Sequence, residues 1–159
     1  MVREMSDGRD IDPLTGLVSR RGFFDDLHTM IAGSRPLGLV QVDVADLKPL
    51  AQRSGTAAAD KVLIEVGGHL DDLSRRASLV GAYRIGSSEF ALLTEGWDDG
   101  ELAALCRRPM NAPDVTLPSG EKVTPELHIA HTTLRSGEDE SSFLGRIDQV
   151  AGGTIGSRR

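Results

Sequence analysis

Asp43 stands near the end of an apolar run, Leu37 to Val44, and Asp46 follows three positions later. A carboxylate where a hydrophobic strand meets a turn is a common ligand position in α/β folds. Asp43 with Asp46 nearby could therefore hold a divalent cation. A structural reading stands beside it: Asp43 satisfies loop amides while Asp46 caps the helix that follows. Further on, Gly86-Ser87-Ser88-Glu89 offers flexible backbone, two hydroxyls and one carboxylate. Hydroxyls are poor replacements for carboxylates around Mg²⁺, which is held by hard, charged oxygens. Turn chemistry explains the same four residues equally well.

The remaining reactive side chains give less. His128 and His131 are three apart in a strand-like segment, so they point to opposite faces, and His28 and His69 fall in helical segments without a regular partner. Serines are plentiful, yet no G-x-S-x-G elbow selects a nucleophile. Cys106 follows the apolar stretch Leu102 to Leu105 and precedes Arg107 and Arg108. Those arginines would lower a thiol pKa, but buried filler is the better reading.

These groups must be positioned by the elements around them. Residues 1–11 read as a flexible leader, and Asp12-Pro13-Leu14-Thr15-Gly16 as a turn. Ser19 is placed to cap a helix running to about Ala32, with Phe24, Leu27 and Ile31 on one face, and Gly33-Ser34-Arg35-Pro36 stops it. Leu37 to Val44 reads as a buried strand, with Val40, Val42 and Val44 on one face and Leu39, Gln41 and Asp43 on the other. Asp46 caps a short helix to Arg53 that must take Pro49 in its first turn. After Gly55, Thr56 caps a long helix to about Arg76, striped by Val62, Leu63, Val66, Leu70 and Leu73. Gly67-Gly68 either weakens that helix or marks close packing.

Leu79–Ile85 and Ser88–Thr94 flank Gly86-Ser87 as a hairpin. Asp98 and Glu101 form a capping box for a helix to Arg108. Val115–Leu117 and Val123–Thr133 predict a second hairpin across Pro118-Ser119-Gly120, and a last helix spans Ser141–Val150. The order predicts an α/β (α+β) sandwich: a central mixed, mainly antiparallel sheet flanked by helices.

Composition sets the outer bounds. A chain of 159 residues makes one domain. Its 18 Lys plus Arg against 24 Asp plus Glu, a net charge of −6, argue against nucleic acid or anionic lipid as a partner. No apolar run reaches roughly 18 residues, so no membrane span is expected. The polar start MVREMSDGRD does not read as a signal peptide, and one cysteine excludes an internal disulfide. A cytoplasmic protein is the expectation.

Asp12-Pro13-Leu14-Thr15-Gly16-Leu17-Val18-Ser19-Arg20-Arg21-Gly22-Phe23 resembles the D-x-L-T-G-L-x-N-R-R-x-F opening of GGDEF domains, the diguanylate cyclase family. The likeness continues in order. Asp43-Val44-Ala45-Asp46-Leu47-Lys48 falls on D-(I/V)-D-x-F-K, and Ala59-Asp60-Lys61-Val62-Leu63 on G-D-x-x-L. Tyr83-Arg84-Ile85-Gly86-Ser87-Ser88-Glu89-Phe90 falls on the R-x-G-G-(D/E)-E-F hairpin. The resemblance implies a GGDEF, nucleotide-cyclase-like fold over residues 12–150, with 151–159 a Gly-rich basic tail.

Active members condense two GTP molecules into cyclic di-GMP across a homodimer, with two carboxylates holding Mg²⁺ or Mn²⁺. Carried onto this chain, the first metal carboxylate is Asp43, with the Val44 carbonyl beside it. The second falls on Ser88, the second signature glycine on Ser87, and Gly86 and Glu89 are kept. The guanine-reading Asn falls on Ala51, while the other guanine contact survives as Asp60. Lys48 and Arg84 match basic residues around the phosphates and the hairpin. Leu144, Arg146 and Asp148 resemble the L-x-x-A-D segment; the phosphate-binding Lys after it lands on Ile155, and the following Arg on Arg159 without a gap. The R-x-x-D product-inhibition motif falls on Ala77 and Val80 and is absent.

The resemblance is thus to a degenerate GGDEF domain, with a vestigial nucleotide site at Asp43, Val44, Lys48, Ala51, Asp60, Arg84, Gly86, Ser87, Ser88 and Glu89. It implies a regulatory or protein-interaction module with no catalytic residues and no resident cofactor. Mg²⁺ or Mn²⁺ enters only where residual nucleotide binding survives. Implied partners are another protein or an attached signalling domain and a second copy of the chain. The alternative is residual GTP or cyclic di-GMP binding, or weak cyclase activity.

Overall fold

A computed structural model describes residues 9–107 and 110–151. The chain enters through β1 (Val18–Ser19) and α1 (Arg20–Ala32). The buried face of α1 is Phe23, Leu27 and Met30, with Phe24 and Ile31 at its margin, so the expected apolar face is corrected by one position. Phe23 sits edge-on to Tyr83, with ring centroids 5.4 Å apart, which fixes that rotation. Ser19 occupies the cap position, but its hydroxyl donates to the Asp10 carboxylate at 2.7 Å rather than capping the helix.

β2 (Leu37–Val44) follows, as expected, and then α2 (Leu47–Ser54), with Pro49 in its first turn. Asp46 precedes α2 in the left-handed region (φ 64°), and its side chain makes no cap, contrary to expectation. α3 (Thr56–Arg76) takes Gly55 as its cap, so Thr56 is the first helical residue instead. All five residues of its predicted stripe are buried. A Cβ at Gly67 would lie 3.2 Å from Thr15 Cβ and 3.5 Å from Phe90, so this glycine permits the helix to approach.

β3 (Gly81–Arg84) and β4 (Glu89–Glu95) form the expected hairpin. α4 (Asp99–Leu105) starts on the Asp98–Glu101 capping box and ends at Cys106, short of Arg108. The second hairpin is corrected. β5 (Val115–Thr116) pairs only with β6 (Lys122–Val123), in a separate two-stranded sheet. β7 (Leu127–Thr133), beyond Pro125, leaves it to pair antiparallel with β2. The reason is backbone satisfaction: a strand buried as deeply as β2 needs partners on both edges. α5 (Glu140–Ala151) ends the described chain, burying Phe143, Leu144 and Ile147.

The main sheet has the order β1-β3-β4-β2-β7, parallel only between β1 and β3. One core lies between the sheet and α2, α3 and α4, through Val40, Val42, Val44, Leu63, Val66 and Leu102. The other lies beneath α1 and α5, through Phe23, Leu27, Leu39, Leu93, Phe143 and Ile147. This is the expected α/β sandwich with a mixed, mainly antiparallel sheet. The flexible leader is corrected at its end. Residues 9–11 are tied to the domain: Ile11 bridges Val18, and the Ser19 amide donates to the Asp10 carbonyl at 2.8 Å. Residues 1–8, 108–109 with Arg108, and 152–159 with Ile155 and Arg159 lie outside the described residues. Among the described residues, no helix is long and apolar enough to cross a membrane.

Two residues of α3 six positions apart test this packing. Leu70→Ala, at a fully buried site, is expected to lower unfolding free energy by about 2–5 kcal/mol. Ile64→Ala, at a side that is 41% exposed, should change it by less than about 0.5 kcal/mol. Urea unfolding followed by Trp97 fluorescence measures both.

Candidate functional site

The end of β2 delivers Asp43 to the turn between β3 and β4. There the Ser88 hydroxyl donates to Asp43 Oδ1 at 2.9 Å, and the Val44 amide donates to the Ser88 carbonyl at 2.8 Å. Strand alternation would set Ser88 and Glu89 on opposite faces. Ser88 lies in the turn ahead of β4, so its hydroxyl reaches Asp43 regardless. Glu89 is the register partner of Asp43 on β4 and is only 3% exposed. On the other edge of β2, His128 is the register partner of Asp43. His128 is exposed and bonded to Glu126 at 2.8 Å; that bond, with the charges of Asp43 and Asp46, raises its pKa. The sequence singled out neither Glu126 nor the closeness of His128 to Asp43.

Arg84 is committed to structure. Its Nη1 lies 3.1 and 3.2 Å from the two Asp12 oxygens, while Nε and Nη2 donate to the Gly86 and Ser87 carbonyls at 3.2 and 2.9 Å. Asp12 also accepts from the Thr15 hydroxyl at 2.7 Å and the Thr15 amide at 2.9 Å. Burial alone would raise the Asp12 pKa, but these Thr15 bonds and the Arg84 guanidinium together hold it below the usual value. Asp12 was legible only as part of the opening motif; its partner is 72 positions away. Arg146 is likewise structural, with Nε and Nη2 each 2.7 Å from the Glu138 carboxylate. Burial pushes the Cys106 thiol up to about 11, outweighing any neighbouring arginine, and this fits the filler reading.

An open groove of about 550 Å³ runs beside the turn. Val44, Lys48, Ala51, Asp60, Arg84, Ser87 and Ser88 line it, seven of the ten expected residues; Asp43, Gly86 and Glu89 do not. Its volume is that of a small-molecule site. Its floor is apolar, with Leu47, Pro49 and Leu63. Lys48 and Arg84 bring two positive charges, Asp46 and Asp60 two negative ones, and Arg84 is already paired with Asp12.

The side chains here form no complete cage for a divalent cation by themselves. Asp43 Oδ1 accepts the Ser88 hydroxyl. Among the described residues, no group of three His, Cys, Asp or Glu side chains is placed to hold a metal ion. Mg²⁺ in nucleotide sites is held by one or two carboxylates together with phosphates and water, and by the family pattern Asp43 is the metal carboxylate present here.

A five-stranded sheet between two helical layers, with the β3–β4 turn set against the end of β2, matches the nucleotide-cyclase-like fold. Within that class, residues 9–152 match the family described as diguanylate cyclase, GGDEF domain, and the chain belongs to it. Diguanylate cyclase VdcA of Vibrio cholerae is 34% identical over 82 residues, covering 52% of this chain and 24% of that protein. Diguanylate cyclase DgcN of Escherichia coli is 30% identical over 127 residues, 76% of this chain and 30% of that one. The chain thus spans less than a third of the length of these relatives. The GGDEF domain of DgcB from Caulobacter crescentus, solved with c-di-GMP, superposes with a TM-score of 0.79 at 22% identity, covering 89% of this chain and 85% of that one. Diguanylate cyclase SiaD of Pseudomonas aeruginosa, solved with its activator SiaC, gives 0.79 at 23%, covering 92% and 58%. Both structures share the fold.

The Asp12–Arg84 pair predicts a pH signature. Because the folded pKa of Asp12 is depressed, its contribution is fully present above the unfolded value and lost as pH falls through the folded one. Asp12→Asn should lower stability by about 1–3 kcal/mol near neutral pH. That gap should be flat down to about pH 5 and close below about pH 4, read from urea unfolding of both proteins across pH.

Proposed function

We propose that this chain is a non-catalytic GGDEF domain, a regulatory or protein-interaction module in cyclic di-GMP signalling. The observation that carries this reading is the Ser88–Asp43 contact. The family's second metal carboxylate is replaced here by a hydroxyl that bonds to the first. Phosphoryl transfer needs charge of the opposite sign concentrated around the phosphates. This groove balances two positive side chains with two negative ones. Ala51 removes a contact to the base, worth roughly 1–3 kcal/mol where a buried polar edge is left unpaired.

A binding role without turnover is the second reading. Lys48 and Asp60, both kept from the family pattern, line the open groove and favour it. A protein partner agrees with the fold's occurrence in SiaD bound to an activator.

Purified protein incubated with GTP and Mn²⁺ is expected to yield no cyclic di-GMP above a protein-free blank. Turnover that disappears in Asp43→Ala would overturn the proposal. Restoring one carboxylate should not restore the enzyme. Ser88→Asp is expected to tighten Mn²⁺ binding about tenfold or more, by calorimetry with a GTP analogue, since it supplies a hard oxygen ligand. Synthesis should still be undetectable, because a misplacement of order 1 Å costs about a hundredfold and other contacts are missing. A competent cyclase from that single change would contradict distributed decay of the site.

A further inference from the structure

Residues 9–12 lie along β1 as a short strap. The Asp12 amide donates to the Leu17 carbonyl and the Ser19 amide to the Asp10 carbonyl, each at 2.8 Å. From the strap, the Arg9 side chain crosses the first turn of α1, where Gly22 has no side chain. A Cβ there would collide with Val18 and lie 3.2 Å from Arg9 Nη2. Arg9 Nη2 donates to the Gly22 carbonyl at 2.6 Å, and Nη1 lies 2.8 Å from Asp26 Oδ1. Asp26 is 6% exposed, and its other oxygen accepts the Tyr83 hydroxyl at 2.6 Å. A carboxylate so deeply buried requires a counter-charge, and Arg9 supplies it.

Tyr83 and Arg84 are consecutive on β3, so they point to opposite faces of the sheet. The strap holds both: Tyr83 through Arg9 and Asp26 on the α1 face, and Arg84 through Asp12 on the groove face. Arg84 in turn holds the Gly86 and Ser87 carbonyls of the turn that carries Ser88.

We infer that the Arg9–Asp26–Tyr83 triad is a latch through which the seating of residues 9–12 controls the β3–β4 turn beside the groove. A force on the strap that withdraws Arg9 strands the Asp26 charge under α1. Tyr83 then loses its fixed partner, and β3 loosens at the residue before Arg84. The groove is thereby coupled to the seating of residues 9–12, whether or not the domain has any catalytic activity.

Amide hydrogen exchange resolves the latch from general stabilisation. The Asp12 and Ser19 amides report the strap. Ile85, donating to the Glu89 carbonyl, and Val44, donating to the Ser88 carbonyl, report the turn. Leu134, donating to the Leu37 carbonyl, reports the far edge of the sheet. In Arg9→Met the strap and turn amides are expected to exchange about tenfold faster relative to Leu134. Adding Asp26→Asn removes the stranded charge, so the double variant should return Ile85 and Val44 to within about threefold of the original protein. Arg9→Lys, which keeps the charge and guards against a misfolded Arg9→Met, should accelerate them by less than about threefold. Three results would overturn the latch. They are acceleration confined to Asp12 and Ser19, a uniform change that includes Leu134, and a double variant as fast at the turn as Arg9→Met.

Discussion

The saturation of β2 is the constraint from which the site follows. Leu37–Asp43 pair with β4 on one edge and Gly38–Val44 with β7 on the other, and its two faces close two separate cores. A slip of one residue would exchange Val40 and Val42 with Leu39 and Gln41 across the sheet, so the register is tightly held. That register fixes Asp43 between Glu89 and His128 and within reach of Ser88. Beyond Val44, the left-handed backbone of Asp46 turns the chain into α2, which carries Lys48 and Ala51 to the groove wall.

The second constraint is electrostatic. The turn holding Ser87 and Ser88 is held from outside by Arg84, and Arg84 is held by Asp12. A guanidinium spent on a carboxylate and two backbone carbonyls has little left for a phosphate. With Arg84 paired in this way, the groove's remaining charges are Lys48 against Asp46 and Asp60. The proposed loss of catalysis and the retained fold fit one arrangement: Asp12 and Arg84 hold the turn, and Ser88 sets a hydroxyl against Asp43.

Much of this was legible in the residues because the signals were local. The apolar run Leu37–Val44, the Asp98–Glu101 box and the α3 stripe each declare an element within a few positions. The α1 face was missed by one residue because Phe23-Phe24 and Met30-Ile31 are adjacent apolar pairs, and only the ring of Tyr83 chooses between them. Three predicted caps failed for different reasons: Ser19 is claimed by Asp10, Asp46 has a left-handed backbone conformation and makes no side-chain cap, and Thr56 is already helical behind Gly55. β7 was read into a local hairpin because the need of β2 for a second partner is a tertiary fact. At the site, the motif placed seven residues along one groove, but the pairing of Asp12 with Arg84 and of Arg9 with Asp26 spans distances that no local pattern records.

Calorimetric titration of GTP into the protein, once with excess Mg²⁺ and once with EDTA, bears most directly on the claim that the metal site has been replaced by a hydroxyl–carboxylate contact. A chain holding Asp43 against Ser88 should show the same affinity, within about twofold, with and without the metal, because no second carboxylate draws Mg²⁺ to the phosphates. A gain of about tenfold or more with Mg²⁺, abolished by Asp43→Ala, would show that the ion still binds there and would contradict the account.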